Sequence, residues 1–129
     1  LTISDQVSSS LIKPNIGRLR PCADILAGEG INLLVKCGSG KSFPSTHAAN
    51  HFTIAVFLIT CLGKNIKWFG PFLLFWATLV SFAQVYVGLH FPLDVIAGCI
   101  LGVTIGIWSG YLVMWMVKHL PESNYNRRY

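Results

Sequence analysis

Three short stretches of this chain hold the residue types that can do chemistry. They are Lys13 with Arg20 and Pro21, then Pro44-Ser45-Thr46-His47, then His90 with Asp94 four residues later. Each borders a strongly apolar segment, where a titratable side chain is costly and therefore marks a functional position. Arginine offers a planar fork to two phosphate oxygens, and lysine offers a movable point charge. Pro44 suits a first helical position, which leaves the N–H groups of Ser45, Thr46 and His47 pointing out of the helix toward an anion. The Ser45 hydroxyl adds a donor, and His47 beside that anion can protonate a leaving alkoxide. The spacing of His90 and Asp94 across a helix start brings the carboxylate to one imidazole nitrogen. That contact fixes the tautomer and frees the other nitrogen to attack phosphorus. Together the three stretches describe a phosphate pocket with two histidines able to break the ester bond.

Each stretch also has a plainer reading. The second is an N-capping turn, Asp94 a first-turn partner of the helix dipole, and the cations juxtamembrane residues that reach for headgroups. Arg18 and Lys36 fit that last description; Lys41 and His51 read as bystanders, and Asn50, near His47, as its support. Asp94 resists the plain reading. No other acid lies between Glu29 and Glu122, and a lone carboxylate beside so long an apolar run needs a partner.

The elements that must position these residues are apolar helices. Hydrophobic residues make up 53% of the 129 and charged residues only 12%, with mean hydropathy +0.56; soluble domains carry about 25% charged residues. Three long apolar segments, 44–62, 68–88 and 92–117, approach or exceed the roughly 20 residues that cross a bilayer. The connections between them are short, so neighbours run antiparallel. Counting the crossings puts Pro44-Ser45-Thr46-His47 and the His90–Asp94 pair on one face of the membrane, which the phosphate-pocket reading requires. Residues 1–13 read as the end of a longer helix interrupted by Pro14 and Gly17, and 14–43 as a loop with a short helical piece around 25–35. The tail 121–129 is polar and reads as flexible. Residues 1–129 form one domain, and the absence of Met at the start suggests that helices precede it.

The net charge of +5 is spread along the chain rather than gathered into a basic, aromatic-interleaved patch, which argues against nucleic acid as a partner. Cations divide evenly between the two ends of the spans; if those near the histidines bind phosphate, the other end is cytoplasmic. Trp68 and Trp115 stand near segment ends, as interface anchors do. Cys61 and Cys99 read as packing residues. Cys22 and Cys37 bracket the polar loop and form a disulfide if it faces an oxidising compartment.

The three stretches resemble the signature of the type 2 phosphatidic acid phosphatase family, whose core is shared with acid phosphatases and vanadium haloperoxidases. The family pattern is lysine, six residues, arginine-proline; then proline-serine-glycine-histidine; then serine-arginine, five residues, histidine, three residues, aspartate. Lys13, Arg20 and Pro21 match the first part. Pro44, Ser45 and His47 match the second, with Thr46 in place of glycine. His90 and Asp94 match the third, with Ala83 and Gln84 in place of serine-arginine. The match spans residues 13–94 in order.

The resemblance implies an all-α membrane helical bundle, here about three transmembrane helices plus a preceding loop and partial helix. It implies hydrolysis of a lipid phosphate or polyprenyl diphosphate through a phosphohistidine, with no metal or other cofactor. His90 is then the nucleophile, Asp94 its orienter and His47 the general acid, while Lys13, Arg20, Ser45, Thr46 and Gln84 hold the phosphate. The expected setting is a bacterial inner membrane with the pocket on the extracytoplasmic side; no feature sets an oligomeric state. Gln84 carries no charge, so transition-state stabilisation weakens about ten- to a hundredfold unless Arg18 compensates. The alternative is a weakened or inactive member that binds phospholipid headgroups.

Overall fold

A computed structural model of the chain describes residues 2–23, 36–37, 41–63 and 67–120. The described residues are helical, with no strand among them. The helical piece expected around 25–35 and the tail 121–129 lie outside them.

The first helical run contains α1 (Thr2–Gln6), a wide π-helical turn (Val7–Ile12) and α2 (Lys13–Ile16). The hydroxyls of Ser8 and Ser9 both donate to the Asp5 carbonyl, and this competition for a backbone acceptor accompanies the widened turn. Pro14 does not interrupt the helix, contrary to expectation. It sits in the first turn of α2, where a missing N–H costs little. The stop comes at Gly17, whose φ of +66° and N–H bond to the Lys13 carbonyl (3.1 Å) form a left-handed cap. The chain turns there, and Arg18 and Arg20 follow immediately. A short 3-10 turn, Pro21–Ala23, comes next. Cys22 is bonded to Cys37 with Cα atoms 5.8 Å apart, so the two cysteines of the polar loop are joined.

Three longer helices follow: α3 (Thr46–Leu62), α4 (Phe69–Tyr86) and α5 (Pro92–His119). With 18 and 28 residues, α4 and α5 are long and apolar enough to cross a membrane. At 17 residues α3 is shorter, about 26 Å at 1.5 Å per residue, so among the described residues two helices rather than three meet that measure.

The bundle centres on α3, which packs on α5 over its whole length and on α4 along another side. A row of glycines makes the α3–α5 approach close. Gly98, Gly102, Gly106 and Gly110 recur every fourth residue, and all are buried. A Cβ on Gly98 or Gly102 would overlap the carbonyl oxygen of Ser45 or Ala49; on Gly106 it would lie 2.9 Å from the Thr53 carbonyl, and on Gly110 2.8 Å from the Thr60 Cβ. Small residues at this spacing let helix backbones touch where lipid supplies no hydrophobic drive. Thr53 adds a hydroxyl shared between the carbonyls of Ala49 (2.8 Å) and Gly102 (3.2 Å). The order of these contacts makes α3 and α5 parallel, with their N-termini side by side and α4 returning between them in sequence. The outward faces of α4 and α5 are apolar and exposed, including Trp68, Phe75, Phe82, Trp108 and Trp115, the pattern of a lipid-facing surface.

Candidate active site

The expected site residues gather at the paired N-termini of α3 and α5. Ser45 is the N-cap of α3, with extended backbone (φ −70°, ψ 110°) and a hydroxyl accepting from the Ala48 N–H at 3.4 Å. This corrects two expectations. Pro44 precedes the cap instead of opening the helix, and the Ser45 N–H is not free, because it donates to the Asp94 carbonyl at 2.9 Å. That bond ties the start of α3 to the start of α5. The free donors are therefore those of Thr46 and His47, which as first-turn residues have no intrahelical acceptor. The Thr46 hydroxyl meets that of Ser8 at 3.3 Å, so the π turn of the first helical run leans on this corner. His47 is exposed.

His90 follows a turn closed by the Gln84 carbonyl, which accepts the N–H groups of Leu89 and His90 at 3.2 Å each. Gly88 makes that turn with φ +74°. The His90 side chain is almost wholly buried, at 2% exposure, and Asp94 entirely so. A buried carboxylate needs several donors, and Asp94 has three. Oδ1 accepts from Arg18 Nη1 at 3.0 Å; Oδ2 accepts the Phe91 N–H at 2.9 Å and also the Ser42 hydroxyl. Arg18 further lies over the Phe91 ring, 4.2 Å from its centre.

Two expectations change here. Arg18 is no headgroup-seeking cation but the counter-ion of Asp94, so it is not a spare charge for the position Gln84 leaves neutral. Asp94 does not contact the imidazole within hydrogen-bond range, since His90 Nδ1 is 3.9 Å from Oδ2. Between them stands Ser42, whose Oγ lies 3.3 Å from His90 Nδ1. Sequence reasoning passed over Ser42, because a serine between a lysine and a phenylalanine carries no spacing signal of its own. The glycine row was also missed, although its four-residue period is visible in the sequence.

Lys13 and Arg20 act electrostatically on both His47 and His90, so both cations lie within charge range of both imidazoles. Burial, aided by Arg20 and Lys13, lowers the His90 pKa to about 4 against the opposing effects of Asp94 and of a hydrogen bond to the Ser42 backbone. The imidazole is therefore neutral at pH 7, as a nitrogen nucleophile requires. The Nε of Arg20 and the Oε1 of Gln84 are buried with no hydrogen-bond partner among the described residues. The helix N-termini of α3 and α5 add partial positive charge on the same side. One turn beyond His47, His51 lines an apolar cleft of about 420 Å³ between α3 and α4 with Ile54, Ala55, Phe72, Leu73 and Trp76. None of the expected site residues lines that cleft.

Known proteins resemble the chain along most of its length. It is 39% identical to a lipid A 4'-phosphatase of Bacteroides thetaiotaomicron over 88% of this chain and 50% of that protein. A lipid A 4'-phosphatase of Porphyromonas gingivalis is 31% identical over 85% of this chain and 47% of its own length. An undecaprenyl-diphosphatase of Sulfolobus acidocaldarius is 43% identical over 53% of this chain and 32% of its own. The chain spans half or less of the length of these relatives. No solved structure matches it significantly. The sequence pattern of the PAP2 superfamily matches residues 1–118, nearly the whole described chain, and on that match this protein belongs to the PAP2 superfamily.

Proposed function

We propose that this chain carries the catalytic site of a membrane phosphatase that removes a phosphate from a lipid. The observation that carries the reading is the shared corner. Two imidazoles from different helix starts lie within the electrostatic reach of the same two cations, Lys13 and Arg20, beside two helix N-termini. Such a corner holds a phosphate through charge, backbone N–H groups and arginine donors.

In this reading the phosphate is held by Lys13, Arg20, the N–H groups of Thr46 and His47, and the hydroxyls of Ser45 and Thr46. Gln84 contributes an amide. Neutral His90 attacks phosphorus through Nε2 while the bond to the leaving oxygen breaks, and His47 gives that oxygen a proton. Water, deprotonated by His47, then cleaves the phosphohistidine. No step calls on a metal. Lipid A-type phosphomonoesters are the favoured substrates, because the two lipid A 4'-phosphatases align over more of this chain than the diphosphatase does. The apolar cleft beside His51 suits the hydrocarbon of such a lipid.

The lipid setting follows from the exposed apolar faces of α4 and α5. We take α3 as a third, minimal span, since 17 residues is at the lower limit for crossing. The Cys22–Cys37 bond belongs to an oxidising compartment, so the pocket opens on the extracytoplasmic face, in a bacterium that of the inner membrane.

The test is phosphate release by the full-length protein in mixed micelles with chelator present, from lipid A, phosphatidic acid and undecaprenyl diphosphate. Release from lipid A, abolished separately by His90→Ala and His47→Ala, is the expected result. A His90→Ala protein that keeps full turnover removes the assigned nucleophile. Binding of lipid phosphates without release from any of them replaces the enzyme with a headgroup-binding protein.

A further inference from the structure

Asp94 Oδ2 lies 3.9 Å from His90 Nδ1, too far for a direct hydrogen bond, and the serine between them has a single proton. We propose that Ser42 is the positioning residue that holds the His90 imidazole, with Asp94 acting through it and Arg18 anchoring Asp94. This rests on the reading of His90 as nucleophile and extends it to Ser42 and Arg18, neither of which is a signature residue.

The argument is a count of protons. The Ser42 hydroxyl has one hydrogen, and it points to Asp94 Oδ2. A carboxylate can only accept, so that hydrogen is committed. The Ser42 oxygen is left as an acceptor facing His90 Nδ1 at 3.3 Å. For that contact to be a hydrogen bond, Nδ1 must carry the proton. The neutral ring then has its lone pair on Nε2, the tautomer that attack on phosphorus needs.

Each member of the chain is itself fixed. Ser42 is fully buried, and its N–H donates to the Arg18 carbonyl at 2.8 Å. Arg18 reaches back through its guanidinium to Asp94 Oδ1 at 3.0 Å. Arg18 therefore holds the serine by its backbone and the carboxylate by its side chain. When Nε2 bonds to phosphorus and the leaving oxygen departs, the ring becomes cationic with its proton still on Nδ1. That charge is met by the Ser42 oxygen, polarised by Asp94. No proton has to cross to the carboxylate.

Two measurements test this on the full-length protein. The first reads the tautomer by 15N NMR of histidine-labelled protein in micelles, with His90→Gln used to assign the His90 signals. The expected wild-type ring has protonated Nδ1 and bare Nε2, and Ser42→Ala moves it toward a mixture of tautomers. A wild-type ring protonated on Nε2, or a Ser42→Ala ring identical to wild type, overturns the proposal. The second is a kinetic cycle with a lipid phosphate. Ser42→Ala lowers kcat about ten- to a hundredfold, the loss of one hydrogen bond to a charged group, while KM stays within about twofold. In the Ser42→Ala background, Asp94→Asn costs little more, because the route from Asp94 to the ring is already cut. Losses that multiply show Asp94 acting on the ring directly and overturn the proposal. A wild-type protein that hydrolyses no substrate defeats the enzymatic reading, and the tautomer measurement still decides the role of Ser42.

Discussion

If the chain is the phosphatase proposed above, substitutions in the glycine row on α5 should have a graded effect on catalysis that can be worked out from its geometry. Gly98 and Gly110 both face α3, but they sit twelve residues apart, about 18 Å along the helix. At Gly98 the neighbour is backbone: an added Cβ overlaps the Ser45 carbonyl oxygen and comes to 3.0 Å from the Ala48 Cβ. A carbonyl cannot rotate away, so the two helix starts must part by something near 1 Å to reach ordinary contact. The 2.9 Å bond from the Ser45 N–H to the Asp94 carbonyl does not survive such a shift, and a 1 Å misplacement of catalytic groups costs about a hundredfold in rate. At Gly110 the neighbour is the Thr60 side chain, far from the site. Overpacking costs about 1–3 kcal/mol at either position, offset by about 1 kcal/mol of helix propensity gained on replacing glycine with alanine. Gly98→Ala should therefore lower kcat about a hundredfold and Gly110→Ala less than threefold, with thermal stabilities that differ little from each other. The assay is phosphate release in micelles alongside unfolding followed by tryptophan fluorescence. Equal kcat losses in the two variants would refute the claim that the glycines align the helix starts.

Three further outcomes follow from the site. His90 has its pKa lowered from 6.5 to about 4, so the folded protein binds a proton less readily than the unfolded chain. Its contribution to instability is absent above about pH 6.5 and grows to about 3 kcal/mol by pH 4, and Arg20→Gln should move the acid limb of kcat/KM upward toward the ordinary histidine range; superimposable profiles for the two proteins would contradict this. The Cys22–Cys37 bond closes a loop of 15 residues, worth about 3 kcal/mol of chain entropy, so reduction should lower the unfolding temperature and free two thiols beyond Cys61 and Cys99, as counted by alkylation and mass. Gln84→Arg restores a charge beside the phosphate and should raise kcat/KM about tenfold, an unchanged value showing that this position does not touch the transition state.

The sequence was most legible where one residue type has one use. Apolar runs broken by short polar turns specify antiparallel helices, and the crossing count correctly put the starts of α3 and α5 together. The signature residues were legible as a set because their order and spacing are shared with a family. What could not be read was the exchange of partners in three dimensions. Asp94 looks like the partner of His90 at a spacing of four, yet in the fold Ser42, fifty-two residues upstream, takes the place between them. Arg18 looks like an interfacial cation because nothing near it in sequence needs a charge; its partner is seventy-six residues away. Pro14 reads as a helix stop only if the turn before it is an ordinary α turn, and the π turn after Gln6 changes that register.

Arg18 also bears on how the site tolerates a glutamine where the family pattern has arginine. A carboxylate at the start of α5 works against anion binding, since its charge opposes both helix dipoles and the nearby cations. Arg18 offsets part of that charge at 3.0 Å and does so from the side of Phe91, leaving Lys13 and Arg20 to act on the pocket. The positive potential at the two histidines then comes from those two side chains and from two helix ends, opposed at His90 by what remains of the Asp94 charge. Gln84 removes one donor charge from the pocket; the Arg18–Asp94 pair keeps the rest from being neutralised. In the proposed mechanism the same pair holds Asp94 where it polarises Ser42. Arg18, which lies within the first stretch but is not one of its signature residues, thus bears on how the charges of the proposed pocket are shared.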